Sequence, residues 1–207
     1  MTMRSLSSFL KNLSLPALAL LLASCNTPGA ANRNQTQYLD AFAAGAVPQS
    51  SSQAVDTVSY WDGDAVAGPA SITLNLSEQK AYFYKGGQLA GVSLICSGND
   101  EHRSVTGSFK IFEKDIDHKS NLYGDFVDSG GNIVKANVDV TKDKMPPGSH
   151  FEGSKMHHFM RFNGGAGMHE GFMAGYPASH GCIRMPAQMA TIFYNNVSLG
   201  TPVKVLP

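Results

Sequence analysis

Ten residues near the C-terminus carry the residue types that chemistry would use: Tyr176-Pro177-Ala178-Ser179-His180-Gly181-Cys182-Ile183-Arg184-Met185. A thiol, Cys182, directly follows a glycine, lies between His180 and Arg184, and has a second histidine, His169, upstream. Such a set suits nucleophilic catalysis by cysteine. The attacking species is the thiolate, and a free thiol of pKa ~8.5 is mostly protonated at neutral pH. A neighbouring imidazole can take that proton and hold the resulting charge as an ion pair. Gly181 leaves out a side chain where a carbonyl would approach the backbone. The peptide N–H groups of Gly181 and Cys182 could then stabilise an oxyanion, worth roughly 3 kcal/mol per donor in acyl transfer. Read by themselves, these residues also fit a plain alternative, because Ser-x-Gly-Cys is a common turn and an isolated Cys is more often a small buried hydrophobe.

The elements that must position these residues are mainly strands. Ile72, Leu74 and Leu76 alternate with Thr73 and Asn75, which predicts a half-buried strand starting near Ala70. Ala81 to Lys85 continues it, and Gly86-Gly87 turns the chain into Leu89 to Cys96, a β-meander. Ser97 to Ser104 reads as a loop, and Thr106 to Phe112 as turn and strand. From Glu113 to Gly153 the chain is charged, Gly-containing and weakly periodic; an excursion this long beside a compact core reads as a lid, or as a solvated loop. Met156 to Phe162 reads as a buried strand that includes His157 and His158. Gly164-Gly165 turns the chain into Ala166-Gly167-Met168-His169. Pro186 fits a first helical turn. Met189, Phe193 and Val197 then share one face of a short C-terminal helix, ended by Gly200, before a last strand over Pro202 to Leu206.

Composition sets the class. The chain of 207 residues carries 16 Lys+Arg and 16 Asp+Glu, so nothing electrostatic argues for nucleic acid. Only 15% of residues are charged, while Gly (21) and Pro (10) are plentiful, a profile that suits a turn-rich, mainly β chain of β-rich α+β type. No internal repeat, Walker loop or dinucleotide fingerprint is present, so no cofactor is expected.

The N-terminus reads as a targeting segment. Arg4 and Lys11 precede an apolar run from Leu13 to Leu22, too short for a bilayer that needs ~20 residues. Leu22-Ala23-Ser24-Cys25 resembles the lipobox of bacterial lipoprotein precursors, which implies a signal peptide over 1–24 and lipid on Cys25. Asn26 then favours the outer membrane over the inner. Removing the leader takes away two cations and leaves a small negative excess. Residues 25–66, rich in Ala, Gln, Ser, Thr and Asn, read as a flexible tether; Tyr38 to Ala44 offers at most a helical turn or two. The folded domain is expected over 67–207. Of the three cysteines, Cys25 would carry lipid and Cys96 reads as a buried strand residue, leaving Cys182. A Cys96–Cys182 disulfide would silence that thiol and is not expected.

His169-Glu170-Gly171 followed by Ser179-His180-Gly181-Cys182-Ile183-Arg184 resembles the catalytic motif of L,D-transpeptidases of the YkuD type, bacterial enzymes that cross-link peptidoglycan through a cysteine. Ile72 to Leu76 with Gln79 and Tyr82, Thr106-Gly107-Ser108-Phe109, and Met160-Arg161-Phe162 extend the likeness over about Trp61 to Pro207. The resemblance implies a β-sandwich with one short C-terminal helix and a lid excursion. It also implies that Cys182 is the nucleophile and His169 the proton donor and acceptor, oriented by the backbone carbonyl of Glu170. Ser179, His180 and Gly181 would shape the pocket and oxyanion hole, and Arg184 would hold the loop or a substrate carboxylate. It implies peptidoglycan stem peptides as partners, carbapenem-type β-lactams as inhibitors, no metal, and a cell-envelope enzyme anchored by lipid and facing the periplasm. The chain departs from the family in three ways. Its His-to-Cys connector is short, with Gly175-Tyr176-Pro177-Ala178 resembling a short-loop subgroup; Glu170 replaces a common Gly; and His157-His158 stands where relatives often have Pro-Tyr.

Other readings use the same residues. Water, or a lysine of another envelope protein, could resolve the thioester in place of a stem amine, giving a hydrolase or an anchoring enzyme. His157, His158, His169, His180 and Cys182 form a His/Cys-rich set that zinc would accept, although their spacings match no usual zinc pattern. A non-catalytic wall-binding lipoprotein would need neither Cys182 nor His169.

Overall fold

The computed structural model describes residues 56–207. The signal peptide over 1–24, Cys25, the Tyr38–Ala44 turn and most of the 25–66 tether lie outside the described residues. The described chain runs through β1 (Tyr60–Trp61), a 3-10 turn (Gly63–Ala65), β2 (Ala70–Asn75), β3 (Lys80–Lys85) and β4 (Gln88–Leu94). Next come β5 (Gly107–Lys110), β6 (Glu113–Asp115), β7 (Lys119–Asp128), β8 (Ile133–Asp139) and β9 (Ser149–Lys155). It ends with β10 (Phe159–Asn163), β11 (Ala166–Glu170), β12 (Ile183–Met185), α1 (Ala187–Asn196) and β13 (Pro202–Leu206).

The strands form a six-stranded sheet in the order β1-β4-β3-β2-β13-β5, a four-stranded sheet β12-β11-β10-β6, and a three-stranded sheet β8-β7-β9. The first two sheets and α1 share one core. In β2 the alternation places Ile72 and Leu74 inward, and they meet Phe83, Met160, Phe162, Met168, Ile183, Met185 and Phe193. Phe83 sets its ring edge-on to Phe193 of α1 at 4.9 Å and to Trp61 at 5.1 Å. Such aromatic pairs add about 0.5–1.5 kcal/mol beyond the area they bury. This is the β-sandwich with one C-terminal helix that the sequence implied.

Two expectations change. The sequence extends the tether to residue 66, but Tyr60 and Trp61 already pair with Val92 and Gly91 of β4. An indole that packs on Phe83 buries too much apolar surface to belong to a solvated linker, so the folded body begins at least six residues earlier than the 67 boundary. The second change concerns the excursion from Glu113 to Gly153. It is not a solvated loop: β6 joins the four-stranded sheet, β7, β8 and β9 build a sheet of their own around Phe126, Val127 and Val138, and Lys119 to Tyr123 of β7 line the cavity described below.

The order of the last elements fixes the site. β11 and β12 are parallel neighbours, in register at Met168 with Ile183, His169 with Arg184, and Glu170 with Met185. Parallel neighbours cannot be joined by a hairpin and need a crossover of about a dozen residues. The segment from Gly171 to Cys182 is that crossover. The short His-to-Cys spacing in sequence is therefore the spacing of two adjacent parallel strands.

Candidate functional site

Cys182 precedes β12 by one residue, which sets it level with Gly167 on β11. The Gly167 N–H donates to Cys182 Sγ, and Sγ lies 3.7 Å from the Gly165 carbonyl oxygen. His169 stands two residues further along β11. Strands lie ~4.8 Å apart and rise ~3.3 Å per residue, so its side chain lies one step along from the thiol on the neighbouring strand. Both residues line one cavity of about 320 Å³, together with Ser179, His180 and Gly181.

His169 is buried, and its Nδ1 lies 2.6 Å from the carbonyl oxygen of Glu170. A carbonyl has no proton to give, so Nδ1 carries the hydrogen and Nε2 keeps its lone pair. Burial pushes the imidazole pKa down to about 3, with the Glu170 carbonyl opposing that drop and the Arg184 guanidinium and the neighbouring His118 adding to it. Burial raises the Cys182 thiol instead, and the Gly167 N–H and the guanidiniums of Arg161 and Arg184 pull part of that rise back. Both shifts favour the uncharged forms of thiol and imidazole at rest. A neutral imidazole of this kind is a general base, able to take the proton as attack proceeds.

The Glu170 carbonyl is itself held. The Glu170 N–H donates to the His157 carbonyl at 2.9 Å, and the Glu170 carboxylate lies 3.7 Å from His158 Nδ1. His157 and His158 lie in a turn between β9 and β10, with His158 at φ +57°, and not within a strand as the apolar run suggested. The His158 N–H donates to the Ile116 carbonyl at 2.9 Å, and its ring meets Tyr194 of α1 edge-on. The pair thus works from behind the site, fixing the residue that orients His169. The five-residue His/Cys set does not assemble into one ligand shell. Among the described residues, the side chains that gather ligand atoms within 4.8 Å are Glu113, Asp115 and His118. These are already matched, Glu113 with Arg161 at 2.8 Å and Asp115 with His118 at 3.0 Å.

The loop carrying Cys182 is fastened from below. The N–H groups of Ala178 and Ser179 both donate to the Ser97 carbonyl, and the Asn99 N–H donates to the Ser179 carbonyl. Ser97 is clamped in turn by both ends of the Gln79 amide, at 2.8 and 3.0 Å. Ser104 Oγ donates to the Gly181 carbonyl at 3.0 Å. Gly181 has φ +104°, which side-chain-bearing residues rarely adopt, so the turn that presents Cys182 requires glycine. Gly98 beneath it is required sterically, because a Cβ there would lie 2.0 Å from the His102 carbonyl oxygen.

Arg184 is the largest fully buried side chain, and its Nη2 donates to the Ala178 carbonyl at 3.2 Å. It does not line the cavity. Of the two roles the sequence offered, its bond to the Ala178 carbonyl supports holding the loop. Replacing Arg184 with Met keeps the bulk but removes this tie. We expect the variant to lose roughly 1–3 kcal/mol of stability in urea unfolding, because a charge-assisted bond to the loop is removed. Amides around Ala178 should lose hydrogen-exchange protection first.

His180 lies between the rings of His102 and Tyr123, each 4.5 Å away. Burial pushes its pKa down to about 4, with His102 and Arg184 adding to the effect, so it is a neutral aromatic plate at pH 7. The sequence reading missed several residues of this wall: Tyr123, His118 and Lys119 from the excursion, Arg103 from the 97–104 loop, and Arg161 from β10. A usable signal existed only for Arg161, which lies in the Met160-Arg161-Phe162 segment. Cys96 and Cys182 are both free thiols, and Cys96 is buried with Sγ 3.2 Å from the Tyr176 carbonyl.

The chain belongs to the YkuD L,D-transpeptidase catalytic-domain family, whose model matches residues 69–205. Among solved structures it is similar to an L,D-transpeptidase from Mycobacterium smegmatis, with TM-score 0.51 and 18% identity, covering 67% of this chain and 59% of that one. A complex of the L,D-transpeptidase LdtMt1 with imipenem gives TM-score 0.50 and 16% identity, covering 66% and 58%. An L,D-transpeptidase from Stackebrandtia nassauensis gives TM-score 0.49 and 16% identity, covering 70% and 60%. The chain thus spans about three fifths of the length of these structures. No curated protein matches it.

Proposed function

We propose that this protein is a peptidoglycan L,D-transpeptidase in which Cys182 is the nucleophile and His169 the proton carrier. The observation that carries the reading is the His169 imidazole, tied through Nδ1 to the Glu170 carbonyl and open at Nε2, in the cavity that also holds Cys182. His169 Nε2 takes the thiol proton as Sγ attacks the carbonyl of the L-centre of diaminopimelate in a tetrapeptide stem. The N–H groups of Gly181 and Cys182 receive the developing oxyanion. The bond to the terminal D-Ala then breaks, and His169 returns the proton to the departing amine. The amine of a neighbouring stem attacks the thioester, His169 accepts its proton, and the thiol is restored with a 3→3 cross-link made. Family membership supports an enzyme of this class. Sequence features support the setting, a lipid on Cys25 anchoring the domain in the cell envelope, facing the periplasm, with the outer membrane favoured.

The L,D-transpeptidase LdtMt1 is known in complex with imipenem. We expect a carbapenem to acylate Cys182 here too. The check is intact mass followed by peptide mapping of the treated protein, alongside muropeptide analysis after incubation with disaccharide-tetrapeptide. A 3→3 dimer and an adduct on Cys182 support the assignment. An adduct on Cys96 or on no cysteine overturns the nucleophile. A tripeptide product without dimer would show water as the acceptor, and an adduct on a protein lysine would show an anchoring enzyme.

A further inference from the structure

The charges around the cavity are one-sided. Arg103, Lys119 and Arg161 line it, and none of the lining residues is acidic. They come from three separate walls: the 97–104 loop, the start of β7, and β10. Each has an acidic neighbour that lies outside the lining, but the three pairs differ in kind. Arg161 is committed, with Nε 2.8 Å from Glu113, an Nη1 bond to the Gly164 carbonyl, and its guanidinium over the Phe159 ring. Lys119 lies 3.5 Å from Glu152, with about half of each side chain exposed. Arg103 lies 3.4 Å from Asp100, with 79% and 99% of the two side chains exposed. Exposed pairs of this kind contribute little and exchange partners readily, whereas a concave wall of one sign concentrates the opposite charge.

Resting on the reading above, we propose that the cavity selects acyl donors that carry free carboxylates, with Lys119 and Arg103 as the side chains that read them. Arg161 supplies a fixed background charge, and its influence reaches the Cys182 sulfur. The loop that carries Arg103 also touches the nucleophile's turn, since Ser104 Oγ bonds the Gly181 carbonyl. A donor carboxylate gripped there is therefore registered against the residue that precedes Cys182. Lys119 opens the strand that carries Tyr123, so the second reader sits on the separate sheet. A stem with its carboxylates converted to carboxamides fills the same space, but it loses both ionic contacts and turns one acceptor oxygen of each group into an NH2 donor.

The test measures binding, so it does not depend on turnover. Full-length Cys182→Ala protein is titrated calorimetrically with a tetrapeptide stem bearing all its carboxylates. Three analogues follow, with carboxamide at the isoglutamate α-position, at the diaminopimelate side chain, or at the terminal D-Ala. We expect at least one analogue to bind about tenfold more weakly, a factor in keeping with loss of a charge-assisted contact. Adding Lys119→Gln or Arg103→Gln should weaken the free-acid stem by a similar factor while changing that analogue less than about twofold, the pattern of an interacting pair. Lys119→Arg should restore the preference. Because both side chains are largely exposed, these changes should leave the melting temperature in place. Equal affinity for all four stems overturns the proposal, as does equal weakening of free and amidated stems by the charge variants, or no binding of any stem. Absence of 3→3 product from the wild-type enzyme, with stem binding and discrimination intact, would instead reject acyl transfer and leave carboxylate recognition standing.

Discussion

Cys182→Ala should abolish cross-linking and thioester formation together, while the fold survives. In hydrolases that use a comparable activated nucleophile, its removal costs on the order of 10⁶ in kcat. What remains of the proposed machinery, the Gly181 N–H and the His169 imidazole, has no atom to form the acyl bond. The fold should tolerate the change, because the sulfur is half-buried and makes only two weak contacts, with the Gly167 N–H and the Gly165 carbonyl. Unfolding in urea should shift by roughly 1 kcal/mol or less. Cys182→Ser separates shape from chemistry: the hydroxyl fits the same space but is a far poorer nucleophile beside a neutral imidazole. Intact-mass analysis after incubation with tetrapeptide should show an acyl adduct on the wild-type protein and on neither variant. An alanine variant that still made dimer at more than a thousandth of the wild-type rate would remove Cys182 from the mechanism. A variant that lost activity through collapse of the fold would show it in the melting curve.

The parts of this arrangement that were legible in the sequence are those governed by local pattern. Ile72 and Leu74 alternate because one face of β2 is core and the other is not, and Met189 with Phe193 recur because one side of α1 packs on that core. The pairing of Cys182 with His169 was legible as residue types. Its geometric cause was not, because the parallel contact between β11 and β12 leaves no trace in three residues of Ile-Arg-Met. The excursion was misread for a related reason. β7 has register shifts against β8 and β9 on both sides of its middle, so Ser120, Gly124, Phe126 and Val127 are buried without a period of two. A bulged strand hides its own alternation. The wall residues Lys119 and Tyr123 are carried on that strand and shared its illegibility. His157 and His158 illustrate a different limit: an apolar run with two aromatic-like side chains reads as a strand, but the chain must reverse there so that the His157 carbonyl can meet the Glu170 N–H.

His169→Gln should lower kcat/KM for thioester formation by about 10² to 10⁴, the range that positioned acid–base groups supply. The wild-type pH behaviour should identify why. With the imidazole pKa pushed down to about 3 and the thiol raised by burial, neither group changes charge between pH 5 and 8. Turnover should therefore show no acid limb near 6.5, where an ordinary histidine would give one. Alkylation of Cys182 by iodoacetamide should be slow at pH 5 and climb steadily with pH, since only the thiolate reacts. Fast, flat alkylation from pH 5 upward would mean a standing thiolate–imidazolium pair and would overturn the neutral-pair assignment. The same burial has a stability consequence of definite sign. The unfolded imidazole, near 6.5, binds a proton that the folded one refuses, so the His169 contribution to stability is complete above 6.5. It is lost progressively as pH falls from there toward about 3, at up to ~1.4 kcal/mol per pH unit from this one group. Between pH 6.5 and 5, above the ordinary range of carboxylate titration, His169→Gln should remove about half of the slope that the two depressed histidines produce. His180, also held below its usual pKa, supplies the other half. A variant that lost turnover yet kept the full wild-type slope would show that the buried, neutral imidazole lies elsewhere, and the proton carrier would have to be reassigned with it.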